Sequence, residues 1–157
     1  MRWSYEERKE ALKKVIARDD ELNEKGGAEL FQTEFVDYTE DGEFIMKIYI
    51  KPWMRNPFGN MQGGMISYFI DAVAGTLSWV EVNCDPVGTV DLNVNFIRGV
   101  EEKIDYIIVK SKVISIGRRV VVATAEVRDP EGWLMAIGTT NTTRLLPPDS
   151  NPVIVTA

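Results

Sequence analysis

Histidine is absent from all 157 residues of the chain, and this absence excludes more chemistry than any other feature of the composition. Without an imidazole there is no Ser-His-Asp or Cys-His pair and no histidine metal ligand. Cysteine occurs once, as Cys84, which excludes an intrachain disulfide and a thiolate-rich zinc site. Acid–base catalysis by this chain must therefore rely on Asp or Glu, assisted by amides, hydroxyls and backbone N–H groups.

Further absences concern membranes, nucleic acids and cofactors. No apolar run approaches the ~18 residues that a membrane-spanning helix needs, and the first ten residues, MRWSYEERKE, lack the apolar core of a secretion signal. The net charge is −6 with no basic stripe, which argues against nucleic acid and anionic membrane as partners. No phosphate-binding loop or dinucleotide fingerprint occurs, so no cofactor is expected. A single cysteine suits a reducing compartment, so we expect a cytoplasmic protein.

Length and composition predict one folded domain with two flanking segments. Apolar residues make up 45% of the chain and charged residues 27%, which is typical of a globular protein with a hydrophobic core. Residues 1–28 are predicted to form an amphipathic helix, with a capping box at Ser4 and Glu7 and a stop signal at Gly26-Gly27. We expect residues 29–145 to form the main domain and residues 146–157, which contain three prolines, to form a peripheral tail.

The pattern of apolar residues predicts strands on both sides of one buried helix. Phe44, Met46 and Ile48 alternate with Lys47 and Tyr49, as in a half-buried strand. The segment from about 63 to 82 is apolar on nearly all faces, which is typical of a buried helix. Further strands are predicted over residues 30–38, 90–96, 104–116, 119–128 and 133–144. Strands and helices do not alternate, so we expect an α+β fold with a curved, mostly antiparallel sheet of five or six strands around one long central helix.

Two features of this central helix are candidates for chemistry. Gly63 and Gly64 stand where the loop becomes the helix, so free N–H groups and the positive end of the helix dipole would polarise a carbonyl placed there; alternatively, the glycines only permit close packing. Asp71 is the single charged residue between Arg55 and Glu81. A carboxylate in apolar surroundings is costly unless it is paired or used. Asp71 is therefore a candidate nucleophile or general base, the alternative being a solvated or interface aspartate.

Helix geometry separates these two groups. Eight residues at about 1.5 Å per residue separate Gly63 from Asp71 by about 12 Å along the axis, so one helix cannot supply both to one carbonyl. A two-fold dimer with antiparallel central helices would bring Asp71 of one chain to Gly63 of the other and create two equal sites. The spacing therefore favours a site shared by two chains.

The order of elements and the segment NPFGNMQGGMISYFID at residues 56–71 resemble the hot-dog fold. The resemblance covers residues 29–145. Among hot-dog proteins, the chain looks more like the PaaI-like and hydroxybenzoyl-CoA-type acyl-CoA thioesterases. In that family, a loop amide precedes a His-Gly-Gly that opens the central helix, and a carboxylate follows on the same helix. The resemblance implies an acyl-CoA thioesterase that works as a homodimer, or as a dimer of dimers.

The resemblance also implies roles for individual residues. Asn56 matches the loop amide, Gln62 stands at the position of the histidine, Gly63 matches the first glycine, and Asp71 matches the carboxylate. Asn56 and Gln62 would then orient the thioester or the attacking water, although both are equally well explained as structural turn amides. Thr89 falls where a Ser or Thr assists, by holding water or Asp71.

Further residues are candidates for binding the substrate. Gly64 continues the oxyanion site, and Phe58 and Met61 are candidates for lining an acyl tunnel, the alternative being that they belong to the core. Arginine suits phosphate well, but charges at strand ends are usually just solvated. The candidates for contacts with the nucleotide phosphates are Arg98, Arg118 and Arg119.

Gln62 separates this chain from part of the family that it resembles. Hot-dog hydratases and dehydratases are expected to use a histidine with an acidic partner, so a chain without histidine is not an ordinary member of that branch. A glutamine can still donate a hydrogen bond, and thioester hydrolysis is the leading hypothesis. The alternative is a non-catalytic hot-dog protein that binds acyl-CoA or a related ligand.

Overall fold

The computed structural model describes residues 2–25 and 31–145. These residues form two α-helices, α1 (Tyr5–Lys25) and α2 (Gly63–Glu81), and six strands: β1 (Gln32–Tyr38), β2 (Glu43–Tyr49), β3 (Val87–Phe96), β4 (Tyr106–Ile116), β5 (Val120–Arg128) and β6 (Leu134–Arg144). A single 3₁₀ turn, Pro52–Met54, lies in the described loop before α2. The predictions made for Gly26-Gly27, for residue 30 and for the tail 146–157 lie outside the described residues.

The six strands form one antiparallel sheet in the order β1-β2-β4-β5-β6-β3. Side chains alternate between the two faces of a strand, and in β2 the alternate residues Phe44, Met46 and Ile48 are buried against the helix side. The sheet wraps around α2, which contacts β2, β3, β4, β5 and β6. The predicted α+β hot-dog architecture is thus confirmed, with six strands and an additional N-terminal helix.

α2 buries one face in the core and leaves the opposite face open. Its buried face carries Ile66, Phe69, Ile70, Val73 and Leu77, and burial of each such side chain contributes roughly 1.5–3 kcal/mol. On the open face, a Cβ added at Gly64 or Gly75 would meet no atom within 4 Å. Although α2 is apolar, no helix in the described part of the chain has both the length and the apolarity to cross a membrane.

β3 runs back alongside α2 and forms one edge of the sheet. Asn83 and Cys84 have φ values of 59° and 61°, and this left-handed backbone reverses the chain after the helix. Within the described residues, β3 pairs only with β6, and most of its residues are exposed on both faces. Leu92 and Phe96 are among its exposed apolar side chains. A long apolar edge strand of this kind is a template for pairing with another chain.

α1 begins with the predicted capping box. The Ser4 N–H donates to Glu7 Oε2 at 2.7 Å, and the Glu7 N–H donates to Ser4 Oγ at 3.2 Å. The hydrogen bonds from the backbone and the side chain of Ser4 lower the pKa of the Glu7 carboxyl. The capping box therefore satisfies N–H groups that the first turn of a helix leaves without an intrahelical acceptor.

Glu81, at the end of α2, ties α1 to the rest of the molecule. Its carboxylate is only 6% exposed. It accepts hydrogen bonds at 2.5 Å from the Tyr38 hydroxyl and from Arg2, and Arg8 Nε lies 3.2 Å away. Burial first, and the hydrogen bond to Glu81 second, raise the pKa of Tyr38 to about 12. The cost of burying a carboxylate is thus offset by Arg2, which precedes α1, by Arg8 of α1 and by the Tyr38 hydroxyl of β1.

Candidate functional site

The loop before α2 is shaped by the amide of Asn56. Asn56 Oδ1 accepts hydrogen bonds from the N–H of Phe58 at 2.9 Å and from the N–H of Asn60 at 3.2 Å. The Asn56 N–H donates to the Asn60 carbonyl at 2.8 Å. This arrangement is an Asx turn, so the side-chain oxygen of Asn56 holds the loop.

Gln62 is the N-cap residue of α2, but its side chain does not cap the helix. Its carbonyl oxygen accepts hydrogen bonds from the N–H groups of Met65 and Ile66. Its side chain is exposed, and Nε2 donates to the Arg55 carbonyl at 3.2 Å. Gln62 therefore stands beside the helix N-terminus without covering it.

The first two N–H groups of α2 are available to a ligand. Neither the Gly63 N–H nor the Gly64 N–H donates to an acceptor among the described residues, as is usual in the first turn of a helix. A Cβ at Gly63 would lie 3.1 Å from the Phe96 ring, so glycine permits this close approach of β3. Two donors and the positive end of the helix dipole thus face a position where a carbonyl oxygen can bind.

Asp71 lies two turns further along α2 and pairs with β3. Thr89 Oγ1 donates a hydrogen bond to Asp71 Oδ1 at 2.8 Å. The Asp71 side chain is only partly buried and Thr89 is exposed, so water can reach the carboxylate. The structure therefore brings together two of the predicted catalytic residues, with the hydroxyl orienting one carboxylate oxygen.

Within one chain, the two halves of the predicted site lie apart. Asn56, Gln62 and Gly63 are grouped at the N-terminus of α2, whereas Asp71 and Thr89 lie about 12 Å further along the helix axis. β3 runs antiparallel to α2, because Phe96 contacts the helix start and Thr89 contacts Asp71. Either half alone lacks a partner for attack on a carbonyl.

The three predicted phosphate-binding arginines lie at two ends of the sheet, and all three are exposed. Arg98 follows β3, and its guanidinium lies 4.5 Å from the centre of the Trp133 ring, which is a cation–π contact. Arg118 and Arg119 form the β4–β5 turn. This turn lies near the start of β3, because Arg144 pairs with the first residue of β3 and donates its N–H to the Arg119 carbonyl.

The two predicted acyl-tunnel residues have different surroundings. Phe58 is 89% exposed on the loop before α2, whereas Met61 is 4% exposed and belongs to the hydrophobic core. A cavity of about 310 Å³ lies elsewhere, between α1, α2 and the β1–β2 hairpin, and Ile16 and Tyr68 are among its walls. No local sequence pattern indicates this cavity, because its walls come from four elements that are distant in the chain.

One family model and several solved structures resemble this chain. The model of the thioesterase superfamily matches residues 58–136, a range that includes Gly63, Asp71, Thr89 and Arg98. No curated protein matches the sequence.

The similar structures share the fold. A conserved protein from Pseudomonas aeruginosa is 25% identical, over 74% of this chain and 91% of its own, with a TM-score of 0.66. A hypothetical thioesterase from Streptococcus pneumoniae TIGR4, crystallised with coenzyme A, is 17% identical over 73% of this chain and 89% of its own, with a TM-score of 0.64. A Streptococcus mutans UA159 protein bound to acetyl CoA is 16% identical over 71% of this chain and 87% of its own, with a TM-score of 0.63. Since the family model spans half of the chain and the fold agrees with it, the chain belongs to the thioesterase superfamily.

Proposed function

We propose that the protein hydrolyses an acyl-CoA thioester at two equal sites, each shared between the subunits of a homodimer. The observation that carries this proposal is that each chain holds two incomplete halves of a site, at two separate places along α2. Open N–H groups at Gly63 and Gly64 begin α2, and an oriented carboxylate, Asp71 with Thr89, follows two turns later. Membership in the thioesterase superfamily supports the reaction type.

The free edge of β3 supplies a way to join the halves. Thr89 stands beside Asp71, and Phe96 stands beside Gly63. If two copies pair along β3 in the antiparallel sense, with the two-fold axis near Leu92, Thr89 lies opposite Phe96 of the partner subunit. Asp71 then approaches Gly63 of the partner subunit. The absence of atoms near Gly64 on the open face of α2 leaves room for the second helix.

The chemistry follows from the groups that meet there. The Gly63 N–H, with Gly64, donates to the thioester oxygen and stabilises the negative charge that develops on it, and one such donor contributes about 3 kcal/mol to lowering the barrier. Asp71 acts on the thioester carbon, either directly as nucleophile or by taking a proton from the attacking water. The C–S bond breaks, water supplies the oxygen and protons, and the products are the free acid and the CoA thiol. Thr89 holds one Asp71 oxygen in place.

The same pairing brings cations of both subunits toward the nucleotide. Arg98 lies beyond the end of β3, and Arg119 lies near its start. In an antiparallel β3 pair, Arg98 therefore lies at the same end of the paired strands as Arg119 of the partner subunit. We assign the CoA phosphates to this combined basic region, with Trp133 holding the Arg98 guanidinium. The solved relatives that contain coenzyme A and acetyl CoA support a ligand of this class.

A non-catalytic acyl-CoA-binding role is the second candidate, and the state of Gln62 favours it. The exposed side chain of Gln62 bonds to the Arg55 carbonyl and has no ionisation that could assist proton transfer. A binding protein would retain the helix N-terminus and the arginines but would not turn over the thioester.

Release of the CoA thiol from a panel of acyl-CoAs distinguishes the two candidates, measured with the wild-type protein, Asp71→Asn and Asp41→Asn. Asp41 is the matched control, because it is an exposed aspartate on the β1–β2 turn that pairs with Lys112 and not with a residue of the proposed site. We expect thiol release by the wild type, a loss of kcat on the order of 10²-fold or more in Asp71→Asn, and no such loss in Asp41→Asn. Thermal stabilisation by acyl-CoA without thiol release would instead identify the binding protein.

A further inference from the structure

Two threonines of β6 bury hydroxyl groups that have no hydrogen-bond partner. Among the residues that the structure describes, the buried side-chain atoms without a partner are Ser78 Oγ, Thr140 Oγ1, Thr142 Oγ1 and Arg144 Nε. Thr140 and Thr142 are both fully buried. A buried polar group that is left unpaired is costly, and native proteins contain few of them. Each of these hydroxyls therefore marks a place where a further contact would complete the hydrogen bonding.

The Thr142 hydroxyl has a polar neighbour on the adjacent strand. β6 lies between β5 and β3, so Thr142 stands opposite one residue on either side, Val121 of β5 and Thr89 of β3. Directly opposite residues point to the same face of a sheet, with Cβ atoms about 4.5–5.5 Å apart, and threonine pairs in this arrangement form hydrogen bonds. Of the two neighbours, only Thr89 carries a hydroxyl.

Thr140 lies two residues earlier on the same face of β6 and has no such neighbour. It stands opposite Ala123 of β5 and Leu92 of β3, and both side chains are apolar. The two threonines thus share a strand, a face and full burial, and they differ in what stands beside them. Thr140 is therefore a matched control for Thr142.

The Thr89 hydroxyl can accept a hydrogen bond while it donates one. Its proton goes to Asp71 Oδ1, at an oxygen–oxygen distance of 2.8 Å, and a hydroxyl that donates retains lone pairs that accept. Thr89 is exposed, so water competes with Asp71 for the proton. A donor on the buried side of Thr89 would occupy its oxygen and keep its proton directed at the carboxylate.

We propose that Thr142 is a positioning residue, whose hydroxyl donates to Thr89 Oγ1 while Thr89 donates to Asp71. Rotation about the Cα–Cβ bond moves the Thr142 oxygen between staggered positions, and in one of them this bond forms. Consecutive hydrogen bonds strengthen one another, so the two hydroxyls hold one oxygen of Asp71 and leave the other for the reaction. The effect on turnover rests on the proposed function, and Thr142 itself touches no reacting atom.

Steady-state kinetics on three variants tests the role in turnover. Thr142→Val removes the hydroxyl at nearly constant shape, and we expect kcat to fall about fivefold, which corresponds to one neutral hydrogen bond. KM should not change, because Thr142 does not contact the substrate. Thr142→Ser restores the hydroxyl and should recover kcat to within about twofold, and Thr140→Val should keep the wild-type kcat. A wild-type kcat in folded Thr142→Val, or an equal loss in Thr140→Val, would overturn the inference.

Urea unfolding tests the contact without turnover, at one fixed protein concentration for all variants. Thr89→Val, Thr142→Val and the double variant form a thermodynamic cycle with the wild type. We expect the two substitutions to depart from additivity by at least about threefold in the unfolding equilibrium constant, whereas Thr89→Val and Thr140→Val should be additive. Thr140→Val alone should raise the urea midpoint, because it removes a buried unpaired hydroxyl. Additivity between Thr89→Val and Thr142→Val would show that the two hydroxyls do not bond and would overturn the inference.

The hydrolysis assay separates this inference from the proposed function. A non-additive cycle for Thr89 and Thr142, without thiol release from any acyl-CoA, would remove the proposed hydrolysis and leave the contact between the two hydroxyls in place. Thiol release that Thr142→Val leaves unchanged would support hydrolysis and overturn the positioning role of Thr142.

Discussion

Gln62 is the residue at which this chain departs from its family, and its contacts define a test. Its side chain makes a neutral hydrogen bond from Nε2 to the Arg55 carbonyl, and such a bond contributes about 1 kcal/mol. We expect Gln62→Ala to lower kcat by no more than about tenfold, a smaller loss than in Asp71→Asn. Steady-state kinetics on both folded variants provides the comparison. Equal losses would make Gln62 a central catalytic group.

Cys84 provides a second test on a single side chain. Burial, and to a lesser extent the charge of Asp85, raise the pKa of its thiol to about 11. The thiolate is the reactive form, so at pH 8 the native thiol should react with iodoacetamide more than tenfold slower than the urea-unfolded thiol, whose pKa is about 8.5. Because the folded-state pKa of an acid is raised, its contribution to stability is complete below about pH 8.5 and is lost as the pH rises toward 11.

Cys84→Ser is the control for this measurement, since it removes the reacting atom. Mass spectrometry of the labelled protein follows the reaction at the single cysteine of the chain. Equal labelling rates for the native and the unfolded protein at pH 8 would contradict the raised pKa.

Among the elements, α1 depends on a carboxylate that belongs to α2. Glu81→Gln keeps the shape of the side chain but removes the charge that Arg2 and Arg8 neutralise. We expect the free energy of unfolding to fall by about 1–3 kcal/mol. Relative to the wild type, amide hydrogen exchange should become faster in α1, and it should change less in β4 and β5. Urea unfolding and hydrogen-exchange mass spectrometry measure the two effects.

Glu10→Gln is the matched control on α1 itself. Glu10 and Lys14 form an exposed pair 3.9 Å apart, and such pairs contribute less than about 1 kcal/mol. This variant should leave exchange in α1 unchanged. If Glu81→Gln increased hydrogen exchange equally in all elements, the carboxylate would not specifically stabilise the packing of α1 on α2.

The elements themselves were largely predictable from the sequence, and their long-range contacts were not. The alternation of Phe44, Met46 and Ile48 predicted a strand, and β2 contains all three residues. The contact between Glu81 and Tyr38 joins residues 43 positions apart, and no local pattern encodes it. One signal was available: Glu81 follows Leu77 by four residues and therefore shares the buried face of α2.

The same distinction holds for the candidate site. The resemblance to a family placed Thr89 where it holds either water or Asp71, and the structure has the hydrogen bond to Asp71. The sequence left the role of Asn56 open between orienting a substrate and forming a turn, because an amide before proline suits both. The two hydrogen bonds to its side-chain oxygen depend on the path of the loop, which periodicity does not describe.

For the whole molecule, the proposed shared site predicts complementation between two inactive variants. Gly63→Pro removes one N–H donor at the first helical position, where proline is well tolerated. Its ring needs the exposed Phe96 side chain to shift slightly. We expect homodimers of Gly63→Pro and of Asp71→Asn each to lose on the order of 10²-fold in kcat. A mixed dimer carries one intact site and should recover about half of the wild-type rate.

Two affinity tags, one on each variant, allow purification of the mixed dimer for this measurement. Subunits mixed after complete folding of stable homodimers serve as the control, since they exchange slowly and should stay inactive at early times. A mixed dimer no more active than its parents would mean that each site lies within one chain. Light scattering that finds an active monomer would lead to the same conclusion.

The exposed edge of β3 also bears on solubility. A strand of ten residues with apolar side chains such as Val90 and Phe96 at its surface can extend a sheet without limit when it meets other unpaired strands. In the proposed dimer, association through β3 closes this edge on both copies at once. A substitution that weakens this proposed dimer should therefore lower the soluble yield together with the proposed turnover, and an apparent loss of activity in cells would then reflect aggregation rather than damaged chemistry.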